Sequence, residues 1–143
     1  MMQFTFNGSQ SNPVNITMDT AAISNNNGGH GVGLEVSGSA SVNALFQNVM
    51  WTHNGGSLGL HVNIHDTEQD QTVSLAQSHF VSNIANTTTS VDEQTHLEVS
   101  NAVNTVLFNL TACRWDGNQG KAQGSVLKWT ATQTGKMNFI GQS

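Results

Sequence analysis

The chain has 143 residues, of which 9% are charged, and its four Lys and Arg residues against nine Asp and Glu give a formal net charge of −5. This length predicts a single domain, residues 1–143, with a core of its own. Because nucleic acids and anionic membranes are bound by clusters of Lys and Arg, and no apolar run approaches the roughly 18 residues of a membrane span, neither nucleic-acid binding nor membrane insertion is expected.

A short signature recurs along the chain: an aromatic or aliphatic residue followed three positions later by Asn. It occurs as FTFN (4–7), ISNN (23–26), WTHN (51–54), FVSN (80–83) and WDGN (115–118), and in altered form as FIGQ (139–142). The first residues of successive signatures lie 19, 28, 29, 35 and 24 positions apart, an average of 27. A period of about 20 to 50 residues is typical of solenoids and propellers.

Strand patterns, in which alternate residues are apolar, precede and follow these signatures. The preceding segments are VNITM (14–18), NALFQNVMW (43–51), TVSLAQSHF (72–80), VLFNL (106–110) and KMNFI (136–140), and the following ones are GVGLEV (31–36), SLGLHV (57–62), THLEV (95–99) and GSVLKW (124–129). Several short strands per repeat and no helical periodicity predict an all-β parallel β-helix of about five coils. An antiparallel β-sandwich or jelly roll is the alternative. The longer third repeat predicts a protruding loop at residues 86–94.

In such a helix, equivalent side chains of successive coils lie about 4.8 Å apart. The signature then predicts an internal stack of Ile23, Trp51, Phe80, Trp115 and Phe139. It also predicts a ladder of Asn26, Asn54, Asn83 and Asn118, because the Asn amide both donates and accepts hydrogen bonds and Asn tolerates left-handed backbone at a corner. The simpler interpretation is that these Asn residues mark polar loops.

These motifs resemble a known repeat. FTFN and FVSN match the FxxN half, and GVGL, SLGL and GSVL are similar to the GGAI half, of the FxxN/GGAI repeats of polymorphic outer-membrane proteins. More broadly, the chain resembles right-handed parallel β-helices of the pectin-lyase-like type. The resemblance implies a right-handed β-helix at the cell surface or outside the cell, in an adhesin, a stalk or a polysaccharide-processing enzyme.

The polar side of the second strand suggests where a ligand would bind. Its equivalent positions predict one outward column of Glu35, His61, Glu98 and Lys128. The mixed charges favour a solvated row, since opposite or neutral neighbours stabilise an exposed sheet. A ligand-facing column is the alternative, and no catalytic residue is predicted.

Other reactive groups point to no cofactor. His61 and His65 lie four positions apart on a strand, about 13 Å at 3.3 Å per residue, which is too far for one metal ion with bonds near 2 Å. No metal site and no cofactor are therefore predicted. The single cysteine, Cys113, is flanked by apolar residues, which predicts a buried, inert thiol. Candidate glycosylation sequons occur at Asn7, Asn15, Asn86 and Asn109.

Together these features predict a structural or adhesive extracellular protein that forms a stalk, surface layer or filament by end-to-end stacking of coils. The alternative is a carbohydrate-binding or polysaccharide-cleaving β-helix segment. Because a signature both opens and closes the sequence without a polar cap, the expected partner is a second copy or the rest of a longer chain, and carbohydrate is a further candidate partner. The expected location is extracellular or at the cell surface.

Overall fold

The computed structural model describes residues 2–8, 12–24, 30–52, 58–81, 95–116, 127–132 and 136–142. Within these ranges the chain is all-β. Its strands are β1 (Met2–Asn7), β2 (Val14–Asp19), β3 (Ala22–Ser24), β4 (His30–Gly38), β5 (Val42–Gln47), β6 (Met50–Thr52), β7 (Leu58–Thr67), β8 (Gln71–Ala76), β9 (His79–Val81), β10 (Thr95–Ser100), β11 (Thr105–Thr111), β12 (Arg114–Asp116), β13 (Leu127–Thr132) and β14 (Lys136–Gln142). The described residues contain no helix that could cross a bilayer.

The strands form three parallel sheets, each built from every third strand. Sheet A has the order β1-β4-β7-β10-β13, sheet B the order β14-β11-β8-β5-β2, and sheet C the order β12-β9-β6-β3. Three consecutive strands, one per sheet, make up a repeat. Every described pair is parallel, which excludes the antiparallel sandwich for this part of the chain. Such parallel sheets are consistent with a β-helix or another solenoid.

Alternation of side chains explains why these segments become strands. In β5, Val42, Ala44 and Phe46 are buried, whereas the residues between them are exposed or half-buried. β8 repeats this alternation, and register pairs Ala44 with Val73 and Phe46 with Leu75. The inward side chains of the three sheets meet in one apolar core. Burying this surface is the main favourable term in folding.

A left-handed corner joins each sheet B strand to the following sheet C strand. Thr20, Asn48, Gln77 and Ala112 occupy it, with φ of 52°, 52°, 49° and 50°. The Asn48 N–H donates to the Ala76 carbonyl at 3.0 Å, and the Gln77 N–H donates to the Thr111 carbonyl at 2.8 Å. The corner therefore turns the chain while its backbone stays hydrogen-bonded to the next repeat.

The connections from sheet B to sheet C and from sheet C to sheet A differ in length. Each described connection from sheet B to sheet C has two residues, whereas those from sheet C to sheet A have five, five, thirteen and ten. The thirteen residues, 82–94, contain the predicted protruding loop at 86–94, which lies outside the described residues.

Candidate functional site

The outward face of sheet A carries the largest described concentration of histidines and carboxylates. Leu60, Val62 and Ile64 of β7 point into the core and are fully buried, so His61, Asn63 and His65 point outward. In β10, Leu97 and Val99 are fully buried, which places His96 and Glu98 on the same outward face.

The predicted outward column is wrong in its register. Glu35 pairs with Asn63 and Asn63 pairs with Glu98, whereas His61 pairs with His96 and His96 pairs with Lys128. Glu35, His61, Glu98 and Lys128 therefore occupy two neighbouring columns. The apolar alternation has a period of two, so a shift of two residues leaves the same side chains facing the core. The core pattern could not separate these two registers.

His61, His96 and Glu98 form the first of two histidine–carboxylate clusters on this face. One imidazole nitrogen from each histidine and one carboxylate oxygen of Glu98 all lie within 4.8 Å of one another. The His61 and His96 rings are stacked, with centroids 5.4 Å apart and planes inclined at 25°. His96 is 8% exposed although it faces outward. His61 and Glu98 are half-buried.

The second cluster is centred on His65. Its Nδ1 lies 3.0 Å from Oδ2 of Asp66, and its Nε2 lies 3.4 Å from Oε1 of Glu35. Asp66 also accepts a hydrogen bond of 2.9 Å from the Asn101 side-chain amide. Here each ring nitrogen of His65 faces a different carboxylate, so the imidazole bridges the two acids.

The charges of the second cluster are coupled. The pKa of His65 is raised above its ordinary value of 6.5, mainly by the hydrogen bond to Asp66, with partial burial opposing this effect and Glu35 adding to it. The pKa of the Asp66 carboxyl is lowered from 3.8 by the hydrogen bond with His65 and then by that from Asn101. Protonated His65 and ionised Asp66 therefore stabilise each other in the folded chain.

This coupling predicts a pH-dependent effect of the His65→Gln substitution. Because the folded pKa of His65 is raised, its contribution to stability is complete below 6.5 and is lost as the pH rises through the folded value. On the acid side it is lost as Asp66 is protonated, below 3.8. Urea unfolding should therefore show a larger loss of stability for His65→Gln at about pH 5.5 than at about pH 8.

The Asp66→Asn variant is the companion measurement, because it removes the largest cause of the His65 pKa shift. In the Asp66→Asn background, the loss of stability caused by His65→Gln should be nearly the same at both pH values. An equal loss of stability for His65→Gln at both values would contradict the coupling.

The structure places four members of the predicted aromatic and aliphatic stack in one row of sheet C. Register pairs Ile23 with Trp51, Trp51 with Phe80, and Phe80 with Trp115. The Trp51 and Phe80 ring centroids are 4.4 Å apart and those of Phe80 and Trp115 are 5.1 Å apart, with interplanar angles of 2° in both pairs. Trp51 and Phe80 are fully buried.

Phe139 is the exception, and its predicted place in this stack is wrong. It lies in β14 of sheet B, where register pairs it with Phe108. The FIGQ motif at 139–142 therefore falls within a sheet B strand, whereas the signatures that start at Ile23, Trp51, Phe80 and Trp115 start in sheet C.

The remaining predicted residues are the asparagines of the ladder and of the sequons. The predicted ladder residues Asn26, Asn54, Asn83 and Asn118, together with the sequon residue Asn86, lie outside the described residues. Asn7 and Asn15 are exposed on the first strands of sheets A and B, and Asn109 is half-buried and donates to the Ser74 hydroxyl at 3.3 Å.

Cys113 repeats the role of Ser78 in the previous repeat. The Ser78 hydroxyl donates to the Phe46 and Ala76 carbonyls at 3.3 and 3.0 Å. The Cys113 thiol donates to the Leu75 and Thr111 carbonyls at 3.2 and 3.5 Å. Burial raises the pKa of Cys113. This thiol is therefore a poor nucleophile.

A depression of about 240 Å³ lies away from the histidines. Its lining residues are Asp70, Gln71, Thr72, Thr105 and Leu107. The Asp70 carboxylate accepts a hydrogen bond from the Thr105 N–H at 3.1 Å. This carboxylate therefore links the start of β8 to the start of β11. The outward face of sheet A has the richer chemistry.

The partnership of His61 with His96 was not predicted from the sequence. His65, four positions away on the same strand, is too distant to share an ion with His61, whereas the register partner of His61 is His96, 35 positions later on the adjacent strand. The sequence does carry a signal for this pair: a histidine stands at an outward position in two successive repeats, with Glu98 two residues after the second.

No protein-family model matches the chain, and comparisons with curated proteins and with solved structures likewise find no match.

Proposed function

We propose that the chain is a right-handed parallel β-helix with a structural or adhesive role at the cell surface or outside the cell, and that its coils stack end to end. The observation that carries this proposal is the open edge of the first repeat. Within the described residues, β1, β2 and β3 each pair with a strand on one side only. Their other edges offer backbone groups to a further coil.

The inward side chains of this repeat are incompletely covered. Phe4, Ile16 and Ile23 are half-buried against the core. Their register partners Leu34, Ala44 and Trp51 are 1%, 2% and 0% exposed. The exposed fractions differ because the second repeat has a neighbouring repeat on both sides, whereas the first repeat has one on a single side. A coil stacked on β1, β2 and β3 would bury this apolar edge.

Such a coil belongs either to a longer form of the chain or to a second copy. Association of two copies can be tested with the chain of residues 1–143. Only 9% of these residues are charged, so little like-charge repulsion opposes contact between copies. Association of this kind is head to tail and does not close, which yields filaments.

The backbone of β2 offers a selective test. The Val14 N–H donates to the Ser41 carbonyl at 2.8 Å, toward the β5 side. Successive N–H groups of a strand point to opposite edges, so the Thr17 N–H points to the free edge. Thr17 itself is exposed. Proline at this position would remove a donor needed by an incoming strand while keeping the inward side chains.

We therefore expect Thr17→Pro to reduce the concentration-dependent growth of particle mass that the unmodified chain should show in sedimentation velocity and light scattering. Thr17→Val is the matched control, because it changes the same side chain and retains the N–H. It should associate as the unmodified chain does. A chain that stays monomeric at every concentration, or association unaffected by Thr17→Pro, would count against end-to-end stacking through this edge.

A further inference from the structure

We propose that His61, His96 and Glu98 form a binding site for a divalent transition-metal ion of the Zn²⁺ class. The proposal goes beyond the structural role above and is independent of it. It starts from the convergence of three ligating atoms within 4.8 Å of one another on the outward face of sheet A.

The sheet itself brings these ligands together. His61 on β7 and His96 on β10 are register partners on adjacent parallel strands, where neighbouring backbones lie about 4.8 Å apart. Glu98 lies two residues beyond His96 and therefore on the same face. The stacked rings, inclined at 25°, allow one nitrogen of each imidazole to approach a common point beside the Glu98 carboxylate.

The spacing suits an ion of this size. Zn²⁺ binds imidazole nitrogen and carboxylate oxygen at about 2.0–2.2 Å, so tetrahedral ligands lie about 3.3 Å apart. Ligand atoms that are now within 4.8 Å need to close by no more than about 1.5 Å to reach that geometry. Rotation of the side chains can supply this movement while the strands stay in place.

The donor set selects the class of ion. Two imidazoles and one carboxylate form a set that Zn²⁺ uses, with a fourth position open to water. Mg²⁺ and Ca²⁺ prefer sites made of oxygen ligands, and only one of these three side chains offers oxygen. His96 is 8% exposed, so the side of a bound ion that faces His96 would be largely shielded from water. The Glu98 carboxylate would offset part of the charge of the ion.

The test is a titration of the chelator-treated chain with Zn²⁺, followed by calorimetry and by thermal unfolding. One ion per chain and a rise in the melting temperature are expected. Co²⁺ in place of Zn²⁺ should give the visible absorption of a four-coordinate ion. Mg²⁺ and Ca²⁺ should produce neither effect.

His61→Gln and Glu98→Gln each remove one ligand and keep a polar side chain of similar size, and each should weaken Zn²⁺ binding at least tenfold. His65→Gln is the matched control. It changes a histidine on the same strand and face whose nitrogens already face Asp66 and Glu35, so Zn²⁺ binding should be retained.

Melting of the metal-free variants shows whether each one folds. If a variant does not fold, Co²⁺ absorption of the unmodified chain still decides. Absence of Zn²⁺ binding by the unmodified chain, or equal binding by the unmodified chain and a folded ligand variant, would overturn the proposal.

Discussion

Replacing Phe80 with alanine is expected to lower the free energy of unfolding by about 3–5 kcal/mol, the usual cost of deleting a buried aromatic side chain. Phe80 is fully buried and stacks on Trp51 at 4.4 Å and on Trp115 at 5.1 Å. The substitution therefore removes the central ring of three. Strands on both sides hold the spacing of sheet C through backbone hydrogen bonds, so the cavity cannot close by collapse along the row.

Denaturant unfolding monitored by circular dichroism measures this loss. Met50→Ala is the control, because Met50 lies on β6 beside Trp51 and is 46% exposed; it should change stability by less than about 0.5 kcal/mol. Trp51→Ala should match Phe80→Ala, whereas Trp115→Ala should cost less, since Trp115 is half-buried. Small and equal losses of unfolding free energy for the alanine variants of Met50, Trp51 and Phe80 would show that the aromatic row does not stabilise the fold.

Replacing Gln71 with leucine is expected to cost about 1–3 kcal/mol for each of two backbone groups left without a partner. Gln71 is 1% exposed at the start of β8. Its Oε1 accepts from the Val42 N–H and its Nε2 donates to the Ala40 carbonyl, both at 2.7 Å. The same Nε2 lies 3.0 Å from the Thr67 hydroxyl, its acceptor, which ties the amide to the turn between β7 and β8.

Leucine is of similar size and has no polar group, so most of the cost reports the lost hydrogen bonds. Gln47→Leu on the outward side of β5 is the matched control, and its effect should stay within about 0.5 kcal/mol. Hydrogen exchange gives a local readout, because the Val42 amide should lose protection in Gln71→Leu. Unchanged protection and stability would mean that other groups or water replace the Gln71 amide.

The parallel all-β character and most of the aromatic row could be predicted from the sequence. Trp51 and Phe80 could be aligned because large aromatic residues recur after 29 positions, and a parallel sheet places such equivalents side by side. Phe139 could not be separated from this set, because sheet B also has an aromatic residue at a buried position, Phe108, which is the register partner of Phe139. A motif of four residues does not show which sheet a strand joins.

The candidate site was harder to predict, because it depends on register to the residue. Pairing Leu97 with Leu60 or with Val62 preserves the alternation of buried and exposed residues, and the structure has the second pairing. Only that register places His61 beside His96. Gln71 was missed for another reason: a polar residue between Asp70 and Thr72 is typical of a loop, and its buried position depends on the Val42 and Ala40 backbone groups that it satisfies.

The unequal connections between the sheets determine where this chain can change its length. Among the described strands, two residues separate each sheet B strand from the next sheet C strand, whereas up to thirteen separate a sheet C strand from sheet A. Nevertheless, β7 and β10 pair without a register shift across the thirteen-residue connection. Peptides inserted between Val81 and Thr95 should therefore be tolerated, because loop length adds little entropic cost. The connections from sheet C to sheet A can diversify in evolution, or display a grafted epitope, while the two-residue corners between sheets B and C preserve the alignment of the repeats.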